Sequence, residues 1–162
     1  MRNELALLRR SLPHARVSDE RLDAFPLQFT VRLKDVPGPE WKEGRVADRT
    51  EHEFLVAVTE GYPEQKPVVR WRTPVFHPNI MAPGDGGYVC TALLDKWSFR
   101  STLAQFVQAV EVLLASPNPG SPYDTDSCTR AAAHFRREPY RPAAVAPADD
   151  ALPRVRPARR EP

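Results

Sequence analysis

Two cysteines, Cys90 and Cys128, are the strongest nucleophiles the chain offers, and their sequence surroundings differ. Cys90 follows Gly86-Gly87-Tyr88-Val89 inside residues 74–100, where Pro74, Pro78, Pro83, Gly84, Gly86 and Gly87 leave little room for regular structure. A thiolate in such a loop is open to a large substrate and takes up an acyl group readily. A packed loop cysteine would account for Cys90 equally well if nothing else surrounded it. Cys128, Ala131, Ala132 and Phe135 fall at i, i+3, i+4 and i+7, which puts Cys128 on the buried stripe of a helix as a small core hydrophobe. The chain has no Cys-x-x-Cys pair and no His-x-x-x-His partner for one, so the spacing excludes a structural zinc site, and no metal or cofactor is expected.

The elements that must hold Cys90 can be read from periodicity. Leu5, Leu8 and Leu12 recur at helical spacing up to Pro13 and predict a short amphipathic helix. Leu27, Phe29, Val31 and Leu33 alternate with polar residues and predict a half-buried strand, followed by a turn at Val36-Pro37-Gly38-Pro39. Phe54 to Val58 and Val68 to Thr73 predict two more strands; with no crossover helix between them, an antiparallel meander follows. Leu103, Phe106, Val107, Val110, Leu113 and Leu114 predict a helix with Thr102 and Gln105 as its capping box. Pro117-Asn118-Pro119-Gly120 ends it, and Asp124 or Asp126 is placed to cap a last helix running to about Arg137.

Composition bounds the function. The 162 residues, 41% of them hydrophobic, fit one domain. Of 23 basic and 21 acidic residues, five arginines and three acids lie in residues 139–162, leaving residues 1–138 neutral with 18 of each. A neutral core argues against a nucleic-acid groove. Six of the 18 prolines fall in the last 24 residues, among Ala and Arg without an apolar period; residues 141–162 are therefore expected to be a disordered tail behind a domain over 1–140. No apolar run follows the N-terminal charge, and no stretch approaches the roughly 18 apolar residues of a membrane span. A monomeric cytoplasmic protein with reduced thiols, and no membrane partner, is the expectation.

Around Cys90 lie His77-Pro78-Asn79 upstream, Trp97-Ser98 downstream, the Tyr62-Pro63 turn closing on Pro67, and Pro117-Asn118-Pro119 after the helix. Four such motifs in this order resemble the ubiquitin-conjugating enzymes over roughly residues 1–140. The resemblance implies an α/β (α+β) fold with an N-terminal helix, a four-stranded antiparallel meander, a long active-site loop and C-terminal helices. It also implies that Cys90 receives the carboxyl terminus of ubiquitin, or of a ubiquitin-like modifier, from an activating-enzyme-like protein and passes it to an amine, usually a lysine, of a target protein. By the same resemblance Asn79 stabilises an oxyanion or supports the loop, His77, Pro78 and Trp97 brace it, and Ser121 lies near the incoming lysine. Asp124 or Asp126 would add negative charge there, although helix capping explains both more simply.

The sequence also departs from the eukaryotic pattern. His77 and Cys90 are 13 residues apart, a few more than the family spacing, and the step from Cys90 to Trp97 is slightly shorter. Glu64 and Ser98-Phe99-Arg100 replace the aromatic residue after Tyr-Pro and the Ser-Pro-Ala segment, the positions that usually dock ligase domains. The segment before Phe54 lacks the family's glycine-rich aromatic turn. With the Arg, Ala and Pro bias, these changes resemble the bacterial branch of the family, and the enzyme is expected to work without a conventional RING-type ligase. A RING domain that binds the Glu64/Phe99 surface and accelerates discharge would refute that. A noncatalytic module of the same fold that binds ubiquitin-like proteins is the main alternative. A Cys90/His77 hydrolase ranks below both, because no third orienting residue is apparent.

Overall fold

Leu5 and Leu8 are buried on one face of helix α1 (Arg2–Ser11), and Leu12 is buried just past its end. The computed structural model describes residues 1–143; of the tail expected over 141–162, residues 144–162 lie outside the described residues, and the Ala143 N–H donates to Asp48 Oδ2 at 2.7 Å. Four antiparallel strands follow α1 in simple order: β1 (Ala15–Arg21), β2 (Leu27–Leu33), β5 (His52–Val58) and β6 (Val68–Trp71). Between β2 and β5 a separate hairpin, β3 (Gly38–Lys42) and β4 (Arg45–Arg49), leaves the sheet. A one-turn helix α2 (Ala92–Asp95) precedes α3 (Leu103–Ala115) and α4 (Asp126–Arg137). This is the expected α+β architecture.

The inward residues of β2 and β5 meet α3. Phe29, Val31 and Leu33 alternate in register with Phe54, Val56 and Val58, and Phe54 stacks on Trp71 of β6 at 5.4 Å and meets Phe106 of α3 edge-on at 6.1 Å. Each large side chain buried in this way stabilises the fold by about 1.5–3 kcal/mol. The α3 capping box forms as predicted, with Thr102 and Gln105 bonding each other's backbone. A second group joins it: the Glu4 carboxylate of α1 accepts the Leu103 N–H at 2.9 Å, bringing negative charge to the helix start.

Three local expectations are corrected. Gly38 and Pro39 do not close a turn but open β3, where a Cβ on Gly38 would come within 2.7 Å of Leu114 Cδ2. The reversal falls instead at Glu43-Gly44, both with positive φ as a tight hairpin turn requires. The cap of α4 is Thr125, whose hydroxyl accepts the Cys128 N–H, while Asp126 sits in the first turn and Asp124 precedes the cap. Strand β6 ends at Trp71, before the predicted Thr73.

Candidate active site around Cys90

Residues 74–100 are held by backbone pairing outside the named strands. The Cys90 N–H donates to Asn79 O at 3.0 Å and the Met81 N–H to Tyr88 O at 2.9 Å, so the two arms flanking the cysteine run side by side. The Trp71 N–H donates to Gly87 O at 2.7 Å, which lays the second arm against the end of β6. Gly87 permits that approach: its φ is +65°, and a Cβ would meet Trp71 O at 2.6 Å. At the far end of these arms the chain reverses in an exposed 3-10 turn at Pro83–Asp85.

His77 is fully buried and both ring nitrogens are engaged. Nδ1 accepts the Asn79 N–H at 3.0 Å, so Nε2 carries the proton and donates to Leu113 O at 2.9 Å. Burial pushes its pKa down to about 4, partly offset by the bond to Leu113. It braces the loop on α3 as a neutral imidazole. Because the unfolded chain binds a proton near pH 6.5 and the folded one only near 4, stability is full above pH 6.5 and falls as the pH drops between these values, by about 3 kcal/mol in all. Urea denaturation at pH 7 and pH 4.5 checks this, with the loss expected to shrink in His77→Gln. Equal losses in the two proteins would mean that His77 is protonated within the fold.

Asn79 is buried and its side chain spans to the turn after α3. Nδ2 donates both hydrogens, to Asn118 O at 3.1 Å and Ser121 O at 2.9 Å, and Oδ1 accepts the Asn118 N–H at 2.8 Å. The amide therefore ties residues 118–121 down, and no hydrogen is left over for an oxyanion in this arrangement. Ser121 is brought to this turn through its carbonyl, with an exposed side chain. Pro78, buried between His77 and Asn79, accepts the Tyr123 N–H at 3.0 Å. Trp97 closes the other side, its Nε1–H donating to Pro63 O at 2.8 Å and its ring 6.0 Å from Tyr62, so the Tyr-Pro turn and the tryptophan loop form one unit.

Cys90 itself is a half-buried free thiol. Burial raises its pKa, the nearby Asp95 carboxylate raises it further, and Lys66 and the Tyr123 hydroxyl offset part of this. Asp95 and Tyr123 are not singled out by the sequence. Thr91 caps α2 by accepting the Leu94 N–H at 3.1 Å, and this one turn carries Asp95 Oδ2 to 3.9 Å from Cys90 Sγ. Thr91 is a cap-type residue, but Leu94 and not an acid stands three residues on, so no capping box marks this turn, and nothing local links Tyr123 to Cys90. Cys128 is fully buried, its sulfur 3.6 Å from Ile80 O, as its helical position predicts.

The family model for ubiquitin-conjugating enzymes matches residues 13–145. The chain belongs to the ubiquitin-conjugating enzyme family. One member, ubiquitin-conjugating enzyme E2 3 of Arabidopsis thaliana, is 38% identical over 69 residues, which is 43% of this chain and 45% of that protein. The match thus spans less than half the length of that family member. Among solved structures of the family, S. cerevisiae Ubc12 superposes with a TM-score of 0.58 at 22% identity, over 83% of this chain and 76% of the other. The E2 domain of a Toxoplasma gondii ubiquitin conjugating enzyme gives 0.59 at 18% identity, over 85% and 88%. At those identities the superpositions show the shared fold. Among the described residues no helix is long and apolar enough to cross a membrane.

Proposed function

We propose that this chain is a transferase that accepts a ubiquitin-like modifier as a thioester on Cys90 and passes it to an amine, a lysine in the first instance, of a target protein. The observation that carries this reading is the presentation of Cys90: a half-buried free thiol on a backbone pinned at Asn79, within a loop braced by His77, Pro78 and Trp97. A thioester suits a carrier because it is more reactive toward amines than an oxygen ester. The partners follow from the chemistry: an activating-enzyme-like protein that supplies the acyl group, the modifier and the target. Ser121 is assigned to the amine side and Asn79 to holding the turn that carries it.

We place the chain in the bacterial branch of the family on its remodelled loop and composition. Its two free thiols suit a reducing cytoplasm, and it acts as a monomer. Phe99 and Glu64 are exposed, without the residues that usually dock a RING domain, which favours direct transfer. A noncatalytic module would have no use for a presented thiol. Incubation with a cognate activating enzyme, modifier and ATP, resolved on a nonreducing gel, tests the reading. A thiol-sensitive adduct is expected, and its absence under conditions that charge the activating enzyme would favour the binding module.

A further inference from the structure

In the proposed transfer a lysine ammonium becomes an amide, so its nitrogen gives up two protons, while the released Cys90 sulfur must regain one. The polar groups of the loop differ in what they can do with a proton. His77 is buried and neutral with both ring nitrogens engaged, and Asn79 commits both amide hydrogens to Asn118 and Ser121. A hydroxyl such as that of Ser121 can bond the amine but takes up no proton at neutral pH. The Cys90 thiol donates its own hydrogen to a carboxylate, Asp95 Oδ2, at 3.9 Å.

Local structure fixes that carboxylate in place. The hydroxyl of buried Thr91 accepts the Leu94 N–H at 3.1 Å and its carbonyl accepts the Asp95 N–H at 3.2 Å, closing one helical turn directly after Cys90. Leu94 anchors the turn in the main core, and two residues beyond Asp95 the Trp97 ring is pinned to Pro63 O at 2.8 Å. Between these anchors Asp95 is exposed, open to an arriving amine. For a nucleophile alone the placement is a handicap: burial first, and then the Asp95 charge, push the thiol up. Discharge is the step that gains from it.

We propose that Asp95 is a catalytic residue that takes a proton from the attacking amine and returns it to the Cys90 sulfur as that sulfur leaves. In the resting chain the thiol occupies Asp95 Oδ2; acylation removes the thiol hydrogen and frees that oxygen beside the thioester. The lysine ammonium loses one proton to solvent, and its nitrogen bonds the acyl carbon. The second proton passes from nitrogen to the Asp95 carboxylate, and the carbon–sulfur bond breaks with its electron pair left on sulfur. The Asp95 acid then protonates the thiolate, which restores the original thiol and its bond. A carboxylic acid is a stronger acid than a thiol, so this last transfer runs downhill.

The relay rests on Cys90 being the acyl acceptor, and one experiment separates the two. The full chain, Asp95→Asn and Asp95→Ala are charged by a cognate activating enzyme with modifier and ATP, charging is stopped, and loss of the adduct to free lysine is timed. Both variants are expected to load at least as fast as the parent and to discharge about 100-fold more slowly, and formate to speed Asp95→Ala about tenfold by refilling the vacated position with a carboxylate. Iodoacetamide, which needs no modifier, is expected to alkylate Cys90 about two- to fivefold faster in Asp95→Asn, because the charge opposing the thiolate is gone. Discharge at the parent's rate, slow discharge that formate leaves unchanged, or alkylation no faster than the parent's overturns the relay and leaves Cys90 as the acceptor. A parent that forms no thiol-sensitive adduct beside a charged activating enzyme overturns the carrier reading and the relay together.

Discussion

Cys90→Ala, given a cognate activating enzyme, modifier and ATP, is expected to form no thiol-sensitive adduct, a loss of loading to below detection. The reason is chemical rather than structural. Cys90 is only half-buried and its thiol makes one long hydrogen bond, to Asp95 Oδ2 at 3.9 Å, so truncating it removes few packing contacts and one weak bond. The fold should therefore survive unchanged. Cys90→Ser keeps a nucleophile of far weaker character and is expected to load slowly, giving an oxygen ester that resists thiols. The other thiol supplies the control: Cys128 is fully buried against Ile80, so Cys128→Ala should leave loading intact while lowering stability by about 1 kcal/mol. An adduct that persists in Cys90→Ala and disappears in Cys128→Ala would reverse the assignment.

Asn79→Ala carries the second large effect, and it separates two explanations of the same residue. The side chain makes three hydrogen bonds to the backbone of residues 118–121, and its removal strands the Asn118 N–H and two carbonyls. At a buried position this costs about 2–4 kcal/mol and lowers the melting temperature by roughly 5–15 °C. Loading should change little, about threefold at most, because Cys90 is held by the Asn79 backbone carbonyl, which the substitution keeps. Discharge to lysine should slow about 10- to 100-fold, since the turn that carries Ser121 and Tyr123 is no longer fixed. Asn79→Asp should be no better, because it turns a carboxylate oxygen toward the carbonyls of Asn118 and Ser121. A melting temperature equal to the parent's together with slow discharge would instead mean that the amide acts on the oxyanion directly.

Elements with a strong period are legible in the sequence itself. β2 and β5 alternate because one face lies on the core, and α3 shows both its apolar stripe and its capping box. β1 is not legible: Ala15-Arg16-Val17-Ser18-Asp19-Glu20-Arg21 fully buries only Ala15, as suits a charged edge strand, and its register breaks between Ser18 and Arg21, where Asp19 has a positive φ. The β3–β4 hairpin is hidden because Pro37-Gly38-Pro39 signals a turn, whereas Gly38 is there to let β3 pass close to Leu114 and His52. At the site, order and spacing name the motif residues but do not divide the labour among them. The resemblance already gives His77 a bracing role but leaves Asn79 between two, and only the hydrogen bonds of the Asn79 amide show that both its hydrogens are spent on the Asn118–Ser121 turn. Asp95 reaches the sulfur through a one-turn helix, and Tyr123 is tied to the loop through Pro78, links that carry no periodic signature.

The central claim is that one sulfur holds the modifier's carboxyl terminus. Its most direct test is peptide mapping of the charged protein, digested in acid without reductant. The modifier's C-terminal peptide is predicted on the fragment containing Cys90, and hydroxylamine should release it. Attachment at Cys128 or at a lysine of this chain, with Cys90 recovered as free thiol, would contradict the account.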